Sequence, residues 1–205
     1  MKTNRRDFIR LAGLAGVGLA GTNFIKSCSS ETVERRPDQQ FNMSGYAAPK
    51  LETVRIGFIG LGQRGPGAVG RMSHIEGVEI KALCDLRPER IDVAKERITN
   101  TAHDPASYSG TEEAWKELCD REDLDLVYIC TPWALHAPMA VYAMNQGKHV
   151  CVEVPAAVTL DECWELVETS ERTRKHCMML ENCCYDFFEL LTLNMARQGF
   201  FGDIV

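Results

Sequence analysis

Gly60-Leu61-Gly62-Gln63-Arg64-Gly65 places three glycines at the spacing that lets a backbone wrap a pyrophosphate. Gly60 permits a tight turn, Gly62 allows the main chain to come close to the phosphates, and Gly65 lets the next helix pack against the preceding strand. A helix opening there aims free N–H groups at an anion. Alone, such a trio is often only a turn. Asp85 lies 20 residues beyond Gly65, at the end of the second strand-like run. A carboxylate there accepts hydrogen bonds from adenosine ribose hydroxyls and repels a 2′-phosphate. Motif and carboxylate together point to a dinucleotide cofactor, NAD(H) over NADP(H), with Arg87 near enough to blur that preference.

Three further polar segments fall at strand ends: Cys130-Thr131-Pro132-Trp133-Ala134-Leu135-His136, Glu153-Val154-Pro155, and Glu181-Asn182 running on to Tyr185. Each residue has a bland reading. Thr131 and His136 could cap a helix, Trp133 could be core, Glu153 a solvated strand end and Tyr185 a helix anchor. Three such clusters beside a nucleotide turn point to a cofactor pocket. His74, His103, His149 and His176 have no comparable company. Cys183-Cys184 with Cys177 and His176 lacks the second spaced pair of a zinc site, so no metal is assigned and the thiols read as structural.

The elements that must position these residues alternate. Val54–Ile59, Val78–Cys84, Leu126–Cys130, His149–Glu153 and Met178–Glu181 read as buried strands. Between them come helices over Pro66–His74, Pro88 to about Thr99, a segment opened at Thr111–Trp115, and Ala137–Gln146 stopped by Gly147. Thr111 or Ser109 is the candidate N-cap of the third. Thr159-Leu160-Asp161-Glu162 has capping-box spacing and opens a helix to Arg174, and Phe187–Arg197 forms the last. This alternation predicts an α/β fold with a doubly wound parallel (Rossmann) sheet.

Charge is uneven: of the −6 net charge over 205 residues, the stretch through Ser27 carries +4 and the remainder −10. The net charge excludes a dedicated nucleic-acid binder, and the acidic body argues against an anionic membrane surface as partner. Arg5-Arg6 ahead of the uncharged run Leu11–Gly21 reads as a twin-arginine export signal, too short to span a bilayer comfortably. Nine cysteines in an exported chain would suggest disulfides, but Cys84, Cys130 and Cys151 sit in strand-like runs, and that route carries proteins already folded in the reducing cytoplasm. Ile25-Lys26-Ser27-Cys28 makes Cys28 a candidate lipid-anchor site, with Lys26 counting against it. The expected organisation is a signal over 1–28, a flexible linker over 29–49 and a nucleotide-binding domain over 50–198.

Gly60-x-Gly62-x-x-Gly65, Asp85, Thr131-Pro132 with His136, and Glu153-x-Pro155 together resemble the Gfo/Idh/MocA family of sugar oxidoreductases, over about Val54 to Val205. That family's pattern carries Lys between the Glu and the Pro. Val154 stands there instead, which removes the usual proton-handling ammonium. Val154, the Gly57–Gly65 wording, the run on to Ala156-Ala157 and the Arg-Arg leader resemble an exported subgroup, the NAD-dependent α-N-acetylgalactosaminidases of glycoside hydrolase family 109. The resemblance implies that Gln63, Arg64, Asp85, the Trp133–His136 segment, Glu153, Val154 and Asn182 contact NAD, and that Tyr185 lies near the sugar as the catalytic candidate.

The same resemblance implies hydrolysis of terminal α-N-acetylgalactosamine through oxidation, elimination, addition and reduction, without net redox change. It implies a periplasmic location, and it makes residues 199–205 the start of an α+β substrate domain bearing the main acid/base groups, absent from this chain. The competing expectations are an NAD-dependent sugar dehydrogenase and a non-catalytic NAD-binding fragment. Oligomeric state stays open.

Overall fold

In a computed structural model, residues 39–100, 102–181 and 183–202 are described. The leader, Cys28, Asn182 and residues 203–205 lie outside them. Residues 40–205 form one unit, and Gln39 is the one described residue of the unit before it.

Six strands build the sheet: β1 (Val54–Ile59), β2 (Val78–Cys84), β3 (Ala106–Tyr108), β4 (Leu126–Ile129), β5 (His149–Glu153) and β6 (Cys177–Leu180). Their order is β3-β2-β1-β4-β5-β6, and every pairing is parallel. The helices are α1 (Gly65–Met72), α2 (Pro88–Lys95), α3 (Ala114–Cys119), α4 (His136–Asn145), α5 (Leu160–Thr173) and α6 (Phe187–Arg197). Parallel strands need such crossovers, which cover both faces.

Period-two alternation along β1 sends Ile56 and Phe58 to one face and Ile59 to the other. The first face packs Val69 of α1 and Ile91 of α2; the second packs Leu118 of α3, Met144 of α4 and Leu166 of α5. Gly57 lets the side chains of α3 pack close on β1, since a Cβ there would stand 2.8 Å from Leu118 Cδ2. The chain leaves β1 toward β2 and crosses back to β4, so the crevice of a doubly wound sheet opens at the C-terminal ends of β1 and β4.

The opposite edge is tied by ions. Arg55 donates Nη2 to Asp125 Oδ1 at 2.7 Å and Nε to Oδ2 at 2.9 Å, while His149 N donates to Asp125 O at 2.9 Å. The Arg55 guanidinium holds the Asp125 carboxyl below its usual range. These bonds align the starts of β1, β4 and β5.

Several boundaries differ from expectation. Strand β3 was not anticipated: three residues paired only with β2 carry too short a pattern to read. Helix α2 ends at Lys95, short of Thr99. Helix α3 starts at Ala114 with Glu113 in the cap position, and neither Thr111 nor Ser109 caps it through a side chain, because Ala114 N instead closes a turn on Thr111 O at 3.3 Å. The Thr159–Glu162 capping box forms with both bonds. Gly147, at φ +78°, follows α4 as the expected stop.

Within the stretch expected as a linker, Tyr46 lies 5.4 Å from the His176 ring and Phe41 lies under Arg174 at 4.8 Å. Two aromatic rings of that stretch thus find partners on the domain. Helix α6 buries none of its side chains, and Phe188 is 74% exposed. Among the described residues eight cysteines are free. Burial pushes the thiols of Cys84 and Cys119 up to about 12, and that of Cys151 to about 11.

His149 makes the fold acid-sensitive. Its Nδ1 accepts from His176 N at 2.9 Å, a bond that requires the lone pair a protonated ring lacks. Burial first, then Lys175 and His176, lower its pKa from 6.5. The unfolded chain thus binds the proton more readily, and the stabilisation, present above the unfolded value, is lost as pH falls below it. Melting temperatures taken from pH 7 to pH 5 should fall for the natural chain and fall less for His149→Asn, whose amide oxygen can still accept; equal slopes would remove His149 from this account.

Candidate functional site

The glycine turn is built as its spacing requires. Gly60 sits at φ +88°, and a Cβ there would stand 2.6 Å from Cys130 O and 2.8 Å from Thr131 N. The turn is thus pressed against the end of β4. A Cβ on Gly65 would stand 2.2 Å from Gly60 O, so the first turn of α1 rests on the turn's own backbone. Gly62 is different: no neighbouring atom lies within 4 Å of its would-be Cβ. Two of the three glycines answer to packing and one faces open space.

Asp85 does a job that spacing alone does not reveal. Its Oδ2 accepts from Leu61 N at 2.7 Å and its Oδ1 from Arg87 N at 3.0 Å. The carboxylate therefore ties the end of β2 to the glycine turn, and each oxygen keeps a lone pair for a further donor. Pro66 falls in the first turn of α1, and Arg64 at the cap position makes no side-chain capping bond. The first N–H groups of α1 remain available to an anion. Gln63 and Arg64 are exposed on the same turn.

At the end of β4 the chain makes a 3-10 turn, Trp133–Leu135, closed by Leu135 N donating to Pro132 O at 2.9 Å. Trp133 is 64% exposed. His136 is buried at 1% exposure, and its ring nitrogens lie 2.7 Å from Thr131 O and 2.7 Å from Pro155 O. The imidazole therefore bridges the turn after β4 to the turn after β5, and any influence it has on a cofactor passes through those turns. Glu153 ends β5 and Val154 follows at the surface. Burial, and after it the charge of Glu153, push the Cys130 thiol up to about 12, against the opposing charges of Arg71 and Arg64. Glu153 and Arg64 thus share one electrostatic neighbourhood.

Tyr185 stands in a short 3-10 turn, Cys183–Tyr185, beyond β6, and is 62% exposed. Strand β6 lies three places from β1 in the sheet, about 14 Å at ordinary strand spacing. Tyr185 thus follows a strand three places from β1, beyond the same edge of the sheet. Asn182, in the same stretch, is outside the described residues.

The residues fit a dinucleotide on this structure's own terms. Gly62 leaves open space beside its backbone, α1 begins without a side-chain cap, and Asp85 retains acceptor capacity. One signal escaped sequence reading: among the described residues, Thr131 Oγ1 is a buried side-chain oxygen without a hydrogen-bond partner. No group of three or more potential metal ligands occurs among them.

Comparison with known proteins agrees with this geometry. Residues 54–181 match the model of the Gfo/Idh/MocA oxidoreductase family, NAD-binding Rossmann fold. The chain is 57% identical over 199 residues to glycosyl hydrolase family 109 protein 1 of Bacteroides fragilis, covering 97% of this chain and 43% of that protein. It is 62% identical over 172 residues to the protein of the same name in Bacteroides thetaiotaomicron, covering 83% of this chain and 37% of the relative. The chain thus spans less than half the length of these relatives. In the crystal structure of scyllo-inositol dehydrogenase from Lactobacillus casei, solved with NAD(H) and scyllo-inositol, the fold recurs with a TM-score of 0.65 at 21% identity, over 74% of this chain and 43% of that one.

Proposed function

This chain belongs to the Gfo/Idh/MocA oxidoreductase family and carries its NAD-binding Rossmann domain, and from that premise we propose that the whole protein is a glycosidase releasing terminal α-N-acetylgalactosamine. The observation that carries the proposal is the 57% identity with a glycosyl hydrolase family 109 protein across 97% of this chain. Val154 between Glu153 and Pro155 supports it, because a dehydrogenase of this family would be expected to hold a proton-handling lysine there.

Bound NAD would supply reversible hydride acceptance, so that a turnover ends in hydrolysis with no net oxidation. The chain's own residues hold and orient it. Gly60, Gly62 and Gly65 with the α1 N-terminus receive the pyrophosphate, Asp85 the adenosine ribose, and Gln63, Arg64, Trp133, Glu153 and Val154 line the remaining edge. Tyr185, exposed beyond β6, is the residue of this chain we assign to the sugar. The proposal includes export through the Arg5-Arg6 leader to the periplasm, with Cys28 the candidate anchor.

The test uses the protein at the length of its curated relatives, loaded with NAD, and p-nitrophenyl α-N-acetylgalactosaminide. Nitrophenol should appear over many turnovers while absorbance at 340 nm stays flat. Stoichiometric NADH accumulation without nitrophenol would establish a dehydrogenase instead.

A further inference from the structure

We propose that the Thr131 hydroxyl is a further cofactor-holding group, set in place by His136 and reserved for an oxygen of the dinucleotide's ribose-phosphate chain. The inference rests on the NAD reading of the site and adds a residue to it.

Thr131 is fixed through its main chain on two sides. Its amide lies against the glycine turn, 2.8 Å from where a Gly60 Cβ would stand. Its carbonyl oxygen lies 2.7 Å from His136 Nε2, on a ring whose other nitrogen is 2.7 Å from Pro155 O. The hydroxyl alone has no partner, although it is buried. A buried hydroxyl left unpaired destabilises the free protein, and threonine at such a point contrasts with the apolar strand residues Val127 and Ile129 just before it. The position beside the pyrophosphate turn resolves the contrast. The hydroxyl lacks a partner in the free chain because its partner arrives with the ligand.

Access is compatible with this. Two residues on from Thr131, Trp133–Leu135 is a turn of three residues that buries no side chain and is closed by one backbone bond. His136, following that turn, holds the Thr131 carbonyl in register.

The experiment measures NAD affinity by titration calorimetry, and melting temperature without NAD, for this chain and its Thr131→Val and Thr131→Ser variants. Valine should weaken NAD binding about tenfold or more, the change expected for one hydrogen bond to a charged acceptor. It should leave the free protein's melting temperature unchanged or higher, because an unpaired buried group has been removed. Serine should bind within about threefold of threonine, since it keeps the same single hydroxyl donor. Natural affinity in Thr131→Val, or a clear loss of stability without NAD, overturns the inference, since the second result would show the hydroxyl satisfied in the free fold. His136→Ala adds the coupling test: the valine substitution should lose most of its effect there, whereas additive effects would remove His136 from the arrangement. Failure of the natural chain to bind NAD at all would overturn the cofactor reading itself, a result distinct from natural affinity in Thr131→Val.

Discussion

A single methyl group added at Gly60 or Gly65 should cost this domain much of its stability, while the same group at Gly62 should cost it only its cofactor. At Gly65 the new carbon would stand 2.2 Å from Gly60 O, and at Gly60 it would stand 2.6 Å from Cys130 O with φ at +88°. Both obstacles are backbone, which cannot rotate away as a side-chain tip can. Overpacking of this kind costs about 1–3 kcal/mol and at times more, and at Gly60 the left-handed backbone adds about 1–2 kcal/mol for alanine. In a domain of this size about 1 kcal/mol moves the melting temperature about 2–4 °C. Gly65→Ala should therefore melt roughly 2–12 °C lower and Gly60→Ala roughly 4–20 °C lower, or fail to accumulate folded. Gly62→Ala meets nothing within 4 Å. Its melting curve without NAD should overlay that of the natural chain, while the stabilisation conferred by NAD disappears. Retention of the NAD shift by Gly62→Ala would show that the pyrophosphate lies elsewhere.

The second large effect belongs to Asp85, which serves both the fold and the ligand. Its Oδ2 satisfies the N–H of Leu61, a fully buried residue, at 2.7 Å. Alanine leaves that donor unpaired, at a cost of about 1–3 kcal/mol, and removes the acceptor of the ribose hydroxyls. Asp85→Ala should thus lower the melting temperature and weaken NAD roughly a hundredfold, as the loss of one or two hydrogen bonds to a charged group implies. Asparagine separates the roles, because its amide oxygen still accepts from the buried Leu61 N while only the exposed bond from Arg87 N is lost. Asp85→Asn should regain most of the stability and little of the affinity. Unaltered NAD affinity in both variants would refute the ribose assignment.

How much of this was legible in advance follows physical lines. Strands such as Val54–Ile59 announced themselves because burial on both faces demands continuous apolar runs. The glycine trio and Asp85 were visible because their roles depend on backbone freedom and charge, properties of residue type. Strand β3 was silent, since three residues cannot show a period. The second job of Asp85, the bridging ring of His136 and the unpaired Thr131 hydroxyl were silent for another reason. Each is a relation between turns far apart in sequence, and a residue's type does not say which lone pair is already spent. Helix α6 was legible as a helix, but whether its face is covered was not: composition specifies an apolar stripe and not its partner.

The cysteines supply the chain with its own stopwatch. Cys84, Cys119, Cys130, Cys151 and Cys177 all have raised thiol pKa values, whereas Cys163, Cys183 and Cys184 are exposed. An alkylating reagent therefore finds a fast class on the surface, a slower one in the half-buried Cys130, Cys151 and Cys177, and a slowest class in the buried Cys84 and Cys119, which react when the domain opens. Counting the slowest thiols by mass over time reports the opening rate of the domain, with no label introduced and no residue changed.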